Sequence, residues 1–306
     1  MAGRFLGVFT ARLKKENERL NFEESLKSKI VEIPRGDSLY PKAWESLTDA
    51  PERLYAVGDV SLLKRKKFVV IGSRRTPANA MKLGETIAKE LSTRYAIVTG
   101  AADGGDTAAI VGGLKNGVIC LLAGGFSAIP QANVSLLERV ANEGLLLSLH
   151  PYETPVRSFS YEYRNKFMAA LGEGVLVLGA GEKSGALITA KYAQDFAKKI
   201  FALPYPPNAA AGAGCNALIK KGGYLTESAT DVFTAFGEDV AEQKTKIELS
   251  ADEEKLYNAL QENGEGHVNE LSASTGIPVF KLRAVLSALE IKGLIVALGG
   301  NRYSVV

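Results

Sequence analysis

Short, largely apolar runs recur through the middle of the chain, at residues 68–71, 95–99, 118–122, 145–149, 175–178 and 200–203. Runs with no polar alternation suit strands covered on both faces, as in a parallel sheet. Between them, residues 78–92, 107–115, 134–141, 161–171 and 185–198 carry apolar side chains at helical spacing. Strand and helix in alternation predict an α/β fold: a doubly wound, mostly parallel Rossmann-like sheet with right-handed crossovers. Upstream, residues 39–41 and 54–59 bracket Trp44, Leu47 and Pro51 and read as a packed, partly irregular lead-in to that sheet.

The pattern changes after residue 236. Residues 237–248 are polar without periodicity, which suits a linker. Helical patterns follow at 251–261, 268–274 and 279–292, then two short alternating runs around Gly299-Gly300-Asn301, a hairpin signal. Three helices and a terminal hairpin are the plan of a winged helix. The predicted organisation is therefore a poorly specified lead at 1–38, a Rossmann-like domain at 39–236, a linker at 237–248 and a winged-helix domain at 249–306.

Composition narrows the picture. With 306 residues, 46% hydrophobic and 23% charged, the chain has the make-up of a soluble globular protein with room for more than one domain. No apolar run reaches the length of a membrane span and the opening residues make a poor signal peptide, so a cytoplasmic protein with no membrane partner is expected. Two cysteines and two histidines give neither a disulfide framework nor metal-ligand spacing, and no metal or cofactor is expected. A net charge of +3 is modest, so any polyanion site must come from local clustering.

Candidate chemistry gathers at the strand ends. The first strand runs into Gly72-Ser73-Arg74 and the second into Gly100, Gly104, Gly105 and Asp106. In a parallel sheet such turns share one crevice, where helix N-termini offer free N–H groups to anions. Arg74 can reach that crevice and hold a phosphate with two parallel hydrogen bonds, or can form a surface ion pair instead. The second glycine turn reads as an anion cradle or as plain tight packing. Lys183-Ser184-Gly185 opens a later helix, where Ser184 either caps the helix or joins its amides in facing the crevice. Tyr161, Arg164, Asn165 and Lys166 interleave an aromatic ring with cations, as a single strand of nucleic acid requires. On one helix these side chains diverge, so joint engagement requires that the segment begin as a loop. In the terminal unit Lys281, Arg283 and Lys292 lie on the last helix and Arg302 on the wing, a duplex-binding set if the helix enters a major groove.

The order Ile71-Gly72-Ser73-Arg74, Thr99-Gly100 to Gly104-Gly105-Asp106, Ile129-Pro130, Arg164-Asn165-Lys166, Lys183-Ser184-Gly185-Ala186-Leu187-Ile188-Thr189-Ala190 and Gly214-Cys215-Asn216-Ala217-Leu218-Ile219 resembles the DNA-processing protein A (DprA/Smf) family. The resemblance spans about residues 39–236, and the terminal winged helix resembles the small domain many members carry. It implies a non-enzymatic, single-stranded DNA-binding protein of natural transformation and recombination, a homodimer that protects DNA and helps load the RecA recombinase. Two other readings stay open on the same crevice: a nucleotide-binding sensor, and a nucleotide phosphoribohydrolase-like enzyme using Asp103, Asp106 and Glu182. The second lacks the glutamate that such enzymes carry after a Pro-Gly-Gly-x-Gly-Thr motif, since residues 179–187 read differently. A dehydrogenase is disfavoured because no Gly-x-Gly-x-x-Gly follows the first strand.

Overall fold

The computed structural model describes residues 16–238 and 249–305, and the chain divides into two compact units, 1–239 and 240–306. In the first, the apolar runs form strands of one nine-stranded sheet: β1 (Val31–Pro34), β2 (Arg53–Gly58), β3 (Lys67–Ile71), β4 (Ala96–Thr99), β5 (Val118–Leu122), β6 (Leu145–Ser148), β7 (Gly174–Val177), β8 (Lys199–Ala202) and β9 (Tyr224–Leu225). Their order is β1-β2-β6-β5-β4-β3-β7-β8-β9. From β6 to β9 all neighbours are parallel, while β2 runs antiparallel to both β6 and β1. From residue 78 onward the α-helices of this unit are α1 (Ala78–Leu91), α2 (Gly105–Gly113), α3 (Val134–Glu143), α4 (Ser158–Leu171), α5 (Gly185–Asp195), α6 (Ala213–Lys220) and α7 (Ala229–Ala235). Among the described residues no helix is long and apolar enough to cross a membrane.

The chain winds outward from β3 through β4, β5 and β6, then crosses back to set β7 on the other side of β3. That reversal leaves a crevice at the carboxyl ends of β3 and β7, the place where doubly wound sheets receive ligands.

The lead is more ordered than the sequence suggested. Residues 16–27 are helical, and β1 and β2 extend the sheet by two antiparallel strands. β1 escaped notice because an edge strand needs little apolar content: of its four residues only Ile33 is buried. The expected linker falls mostly outside the described residues. Glu238 belongs to the large unit, where its carboxylate takes a hydrogen bond from Tyr95 and an ion pair from Arg94.

The sheet is tied to the lead by Trp44, which is fully buried and donates Nε1–H to the Phe167 carbonyl at 2.8 Å. Its ring meets Phe167 edge-on, with centroids 5.4 Å apart. Through that contact α4 is pinned between the lead and the sheet. On the crevice side, the start of α2 presses against the turn after β3. A Cβ on Gly72 would lie 2.8 Å from the Gly105 Cα, and one on Gly105 would lie 2.6 Å from the Gly72 nitrogen. Glycine is required at both positions by this backbone-to-backbone contact.

The second unit contains α8 (Ala251–Asn263), β10 (Glu265–His267), α9 (Val268–Thr275), α10 (Val279–Ile291), β11 (Ile295–Gly299) and β12 (Arg302–Val305), with strand order β10-β12-β11. It is a winged helix around Leu256, Leu260, Leu271, Leu282, Leu286 and Leu289. β10 adds a third strand to the expected hairpin, whose turn uses positive φ at Gly299, Gly300 and Asn301. Ser250 and Glu253 form a capping box at the start of α8, and Lys292 donates to Glu253 at 2.7 Å. The Lys292 hydrogen bond, then the Ser250 amide, hold the Glu253 carboxyl down at about 2.

Two outcomes follow from these contacts. Gly105→Ala should destabilise the large unit by about 1–3 kcal/mol, the usual cost of overpacking, read by urea denaturation with Trp44, the single tryptophan, as reporter. Because Glu253 titrates below its ordinary 4.5, its contribution to the winged helix is complete above that pH and is lost as pH falls towards 2. Glu253→Gln should therefore lower the thermal midpoint of that unit at pH 7, with the gap to the parent closing in acid, as circular dichroism melts would record.

Candidate nucleic-acid interface

The floor of the crevice is built on one carboxylate. Asp106, in the first turn of α2, is 5% exposed. It accepts N–H groups from Gly72 and Ala102, each at 3.2 Å. Two backbone donors, one from each glycine turn, thus converge on it. Beside it lies the guanidinium of Arg164, also 5% exposed. That group donates Nη1–H to the carbonyls of Gly100 and of Leu121, the latter at 2.7 Å, and Nε–H to Asn165 Oδ1 at 3.0 Å. Burial pushes the Asp106 carboxyl upward, against the pull of Arg164 and the amides. Burial likewise draws Arg164 down, against the pull of Asp106. Gly100 sits between them: a Cβ there would lie 2.7 Å from the Arg164 Cζ and 2.8 Å from the Asp106 Oδ2. Ala101 beside it holds φ +64°, a strained value for alanine, and Asn133 secures that bend by donating to the Ala101 and Ala102 carbonyls at 3.2 and 2.9 Å.

This arrangement corrects the reading of the second turn as an open anion cradle. The amides of Gly72 and Ala102 are taken by the protein's own carboxylate, and the Gly105 amide by the Ser73 carbonyl at 3.3 Å. Gly104 and Gly105 are buried, packed on the backbone of residues 72–74. What remains open lies to either side. Arg74 is exposed and makes no ion pair among the described residues. It stands between two recesses that share Arg74, Ala102 and Tyr161 as wall. One, about 260 Å³, lies between the turn after β3 and the start of α5, where Ser184 and Gly185 line it. The other, about 450 Å³, continues along the ends of β4 and β5.

At the start of α5, Ser184 accepts the Ala186 amide at 3.3 Å, so it does cap the helix. The Gly185 N–H points out of the first turn with no intrahelical acceptor, as at any helix start. Lys183 is exposed beside it. The Ser73 amide is used internally, donating to the Gly179 carbonyl at 2.8 Å.

The aromatic and cationic segment does not act as one surface. It is helical from Ser158 onward, so its side chains leave α4 in different directions. Tyr161 is 43% exposed and lines both recesses. Arg164 and Asn165 are buried in the floor, and Lys166 pairs with Asp49 at 2.5 Å. The expected cluster thus reduces to Tyr161 over a buried Arg164 and Asn165. Sequence reasoning missed Arg19 and Gln131, which line the larger recess. A charged residue on an amphipathic helix carries no signal that its side chain reaches a strand end. In the winged helix, Lys281 pairs with Asp252 at 2.5 Å and Arg302 with Glu265 at 2.8 Å, while Arg283 is exposed without an ion pair among the described residues.

Comparison with known proteins gives the same outline. Residues 32–237 match the DNA recombination-mediator protein A family and residues 240–301 the DprA winged helix domain. The chain is 35% identical over 204 residues to the DNA processing protein DprA of Streptococcus pneumoniae, covering 65% of this chain and 72% of that protein. It is also 35% identical over 212 residues to that of Bacillus subtilis, covering 67% and 70%. Among solved structures, the Streptococcus pneumoniae protein superposes with a TM-score of 0.64 at 32% identity, over 69% of this chain and 76% of that one. The Helicobacter pylori DNA processing protein A, whose structure addresses its single-stranded DNA binding mode, gives 0.62 at 29% identity over 69% and 98%.

The hub can be tested directly. Arg164→Met leaves Asp106 without its buried cation and should cost about 3–5 kcal/mol in urea denaturation. Arg164→Met combined with Asp106→Asn should cost clearly less than the sum of the two single changes, since the pair is coupled.

Proposed function

Because the chain belongs to the DNA-processing protein A (DprA/Smf) family, we propose that it binds single-stranded DNA in the crevice at the carboxyl rim of its sheet, as a protein of DNA uptake and recombination rather than an enzyme. The observation that carries this reading is Arg74: an exposed guanidinium, unpaired among the described residues, standing between two joined recesses at the switch point of the sheet. A guanidinium so placed offers a phosphate two parallel N–H donors. The Gly185 amide opening α5 and the Lys183 ammonium add positive character on one side. The ring of Tyr161 presents a face on which an unstacked base can lie.

The alternative hydrolase reading gains nothing from the site. Asp106 already accepts two amides, one on each oxygen, beside Arg164, so its oxygens are committed to the floor and not to a substrate. Arg164, Asn165, Gly72, Gly100, Gly104 and Gly105 serve the strand by shaping that floor. Family membership further supports a homodimer that passes its strand to the RecA recombinase. In the winged helix, Arg283 is the cation best placed to meet a duplex backbone, since Lys281 and Arg302 first have to release Asp252 and Glu265. Such exposed pairs are worth about 0–1 kcal/mol and give way readily.

Oligo-dT binding should weaken steeply with salt, with a logarithmic slope of about −0.7 for each phosphate contacted. Arg74→Ala should lower affinity and flatten that slope by about 0.7. Tyr161→Ala should cost about 1–3 kcal/mol with the slope unchanged, the signature of a lost stacking contact. A parent whose binding ignores salt, or an Arg74→Ala variant that binds like the parent, would overturn the proposal.

A further inference from the structure

The larger recess reaches past the family-matched segment to residues that precede it. Residues 16–27 form a helix that lies before the match at 32–237. Phe22 and Leu26 are buried, so the helix is docked on the large unit. Glu23 fixes it over the crevice: it is 4% exposed and accepts the Ile129 amide at 3.0 Å, joining the helix to the loop that rims the recess. One turn earlier on the same face, Arg19 joins Arg74 in the lining of the recess. Its Nε is ion-paired with Glu23 Oε1 at 3.8 Å without a hydrogen bond, and the side chain as a whole is 29% exposed. A partly exposed guanidinium in a cavity wall can turn its outer donors toward an anion that enters the recess.

We infer that the leading helix completes a second phosphate position: Arg19 takes the phosphodiester next to the one held by Arg74, and the recess between them, about 450 Å³, receives the intervening nucleotide. This rests on the single-strand reading above and extends it. The size falls in the range of small-ligand sites, about 300–1,000 Å³. The lining suits a nucleotide, with Leu122, Ala123 and the Tyr161 ring as apolar walls and Gln131 and Asp103 as polar edges able to meet a base. Asp103 also lines the recess and repels a phosphate, so the backbone is directed to the two arginines. Glu23 is the positioning residue that aims Arg19, because it anchors the helix to the loop at Ile129.

The test uses the full chain and oligo-dT of increasing length across a salt series. Arg19→Gln should bind the longer oligonucleotides roughly tenfold more weakly than the parent, the scale of a lost charge-assisted hydrogen bond. It should also reduce the salt slope by about 0.7 and blunt the gain in affinity as the oligonucleotide lengthens. Arg19→Lys should recover the slope and part of the affinity. An unchanged Trp44 unfolding midpoint shows that the variants are folded. If Arg19→Gln matches the parent in slope and length dependence while Arg74→Ala weakens binding, the leading-helix position is wrong and the single-strand reading stands. If the parent itself binds without salt dependence, both fall together.

Discussion

A carboxylate and a guanidinium, buried side by side at the carboxyl edge of the sheet, hold the crevice in shape. Asp106 gathers amides from the turns after β3 and β4, and Arg164 reaches from α4 to carbonyls at the ends of β4 and β5. Neither charge could be buried alone, since an uncompensated ion in a protein interior costs several kcal/mol. Together, with two amides and two carbonyls satisfied, they join two strands, two turns and two helices at one point. The glycines around them follow from this: Gly100 leaves room for the pair, and Gly72 and Gly105 let the two turns touch.

The same pair moves the ligand-facing chemistry sideways. In a glycine turn whose amides were free, a phosphate could rest on the backbone. Here those amides already hold an anion, the protein's own, and the open positive groups are the Arg74 side chain and the start of α5. Net charge of +3 on 306 residues supplies no broad attractive field. Affinity for a polyanion in this crevice therefore depends on a few placed groups at short range, where the local environment sets their strength.

The α/β class, six strands of the parallel sheet and the three helices of the terminal unit were legible because each rests on local periodicity. So was the position of Arg74 and Tyr161 beside the crevice, since they follow short motifs at strand and helix ends. β1 was not, because a four-residue edge strand with one buried side chain carries almost no pattern. Arg164, Asn165 and Lys166 were grouped by adjacency in sequence. Helical geometry then separated them, sending Arg164 to the core and Lys166 to Asp49. Arg19 was invisible because its partner surface is formed by residues more than fifty positions away.

The amino-acid sequence on its own settled the alternation of strands and helices through the parallel sheet, the helices of the terminal unit and the presence of glycine turns at the strand ends, since all of these are written in nearest neighbours and short periods. Tertiary structure alone decided which donors face inward. A buried carboxylate competes for the same amides that a ligand would use, and whether it reaches them depends on how α2 and α4 pack across the sheet. No local pattern encodes that distance.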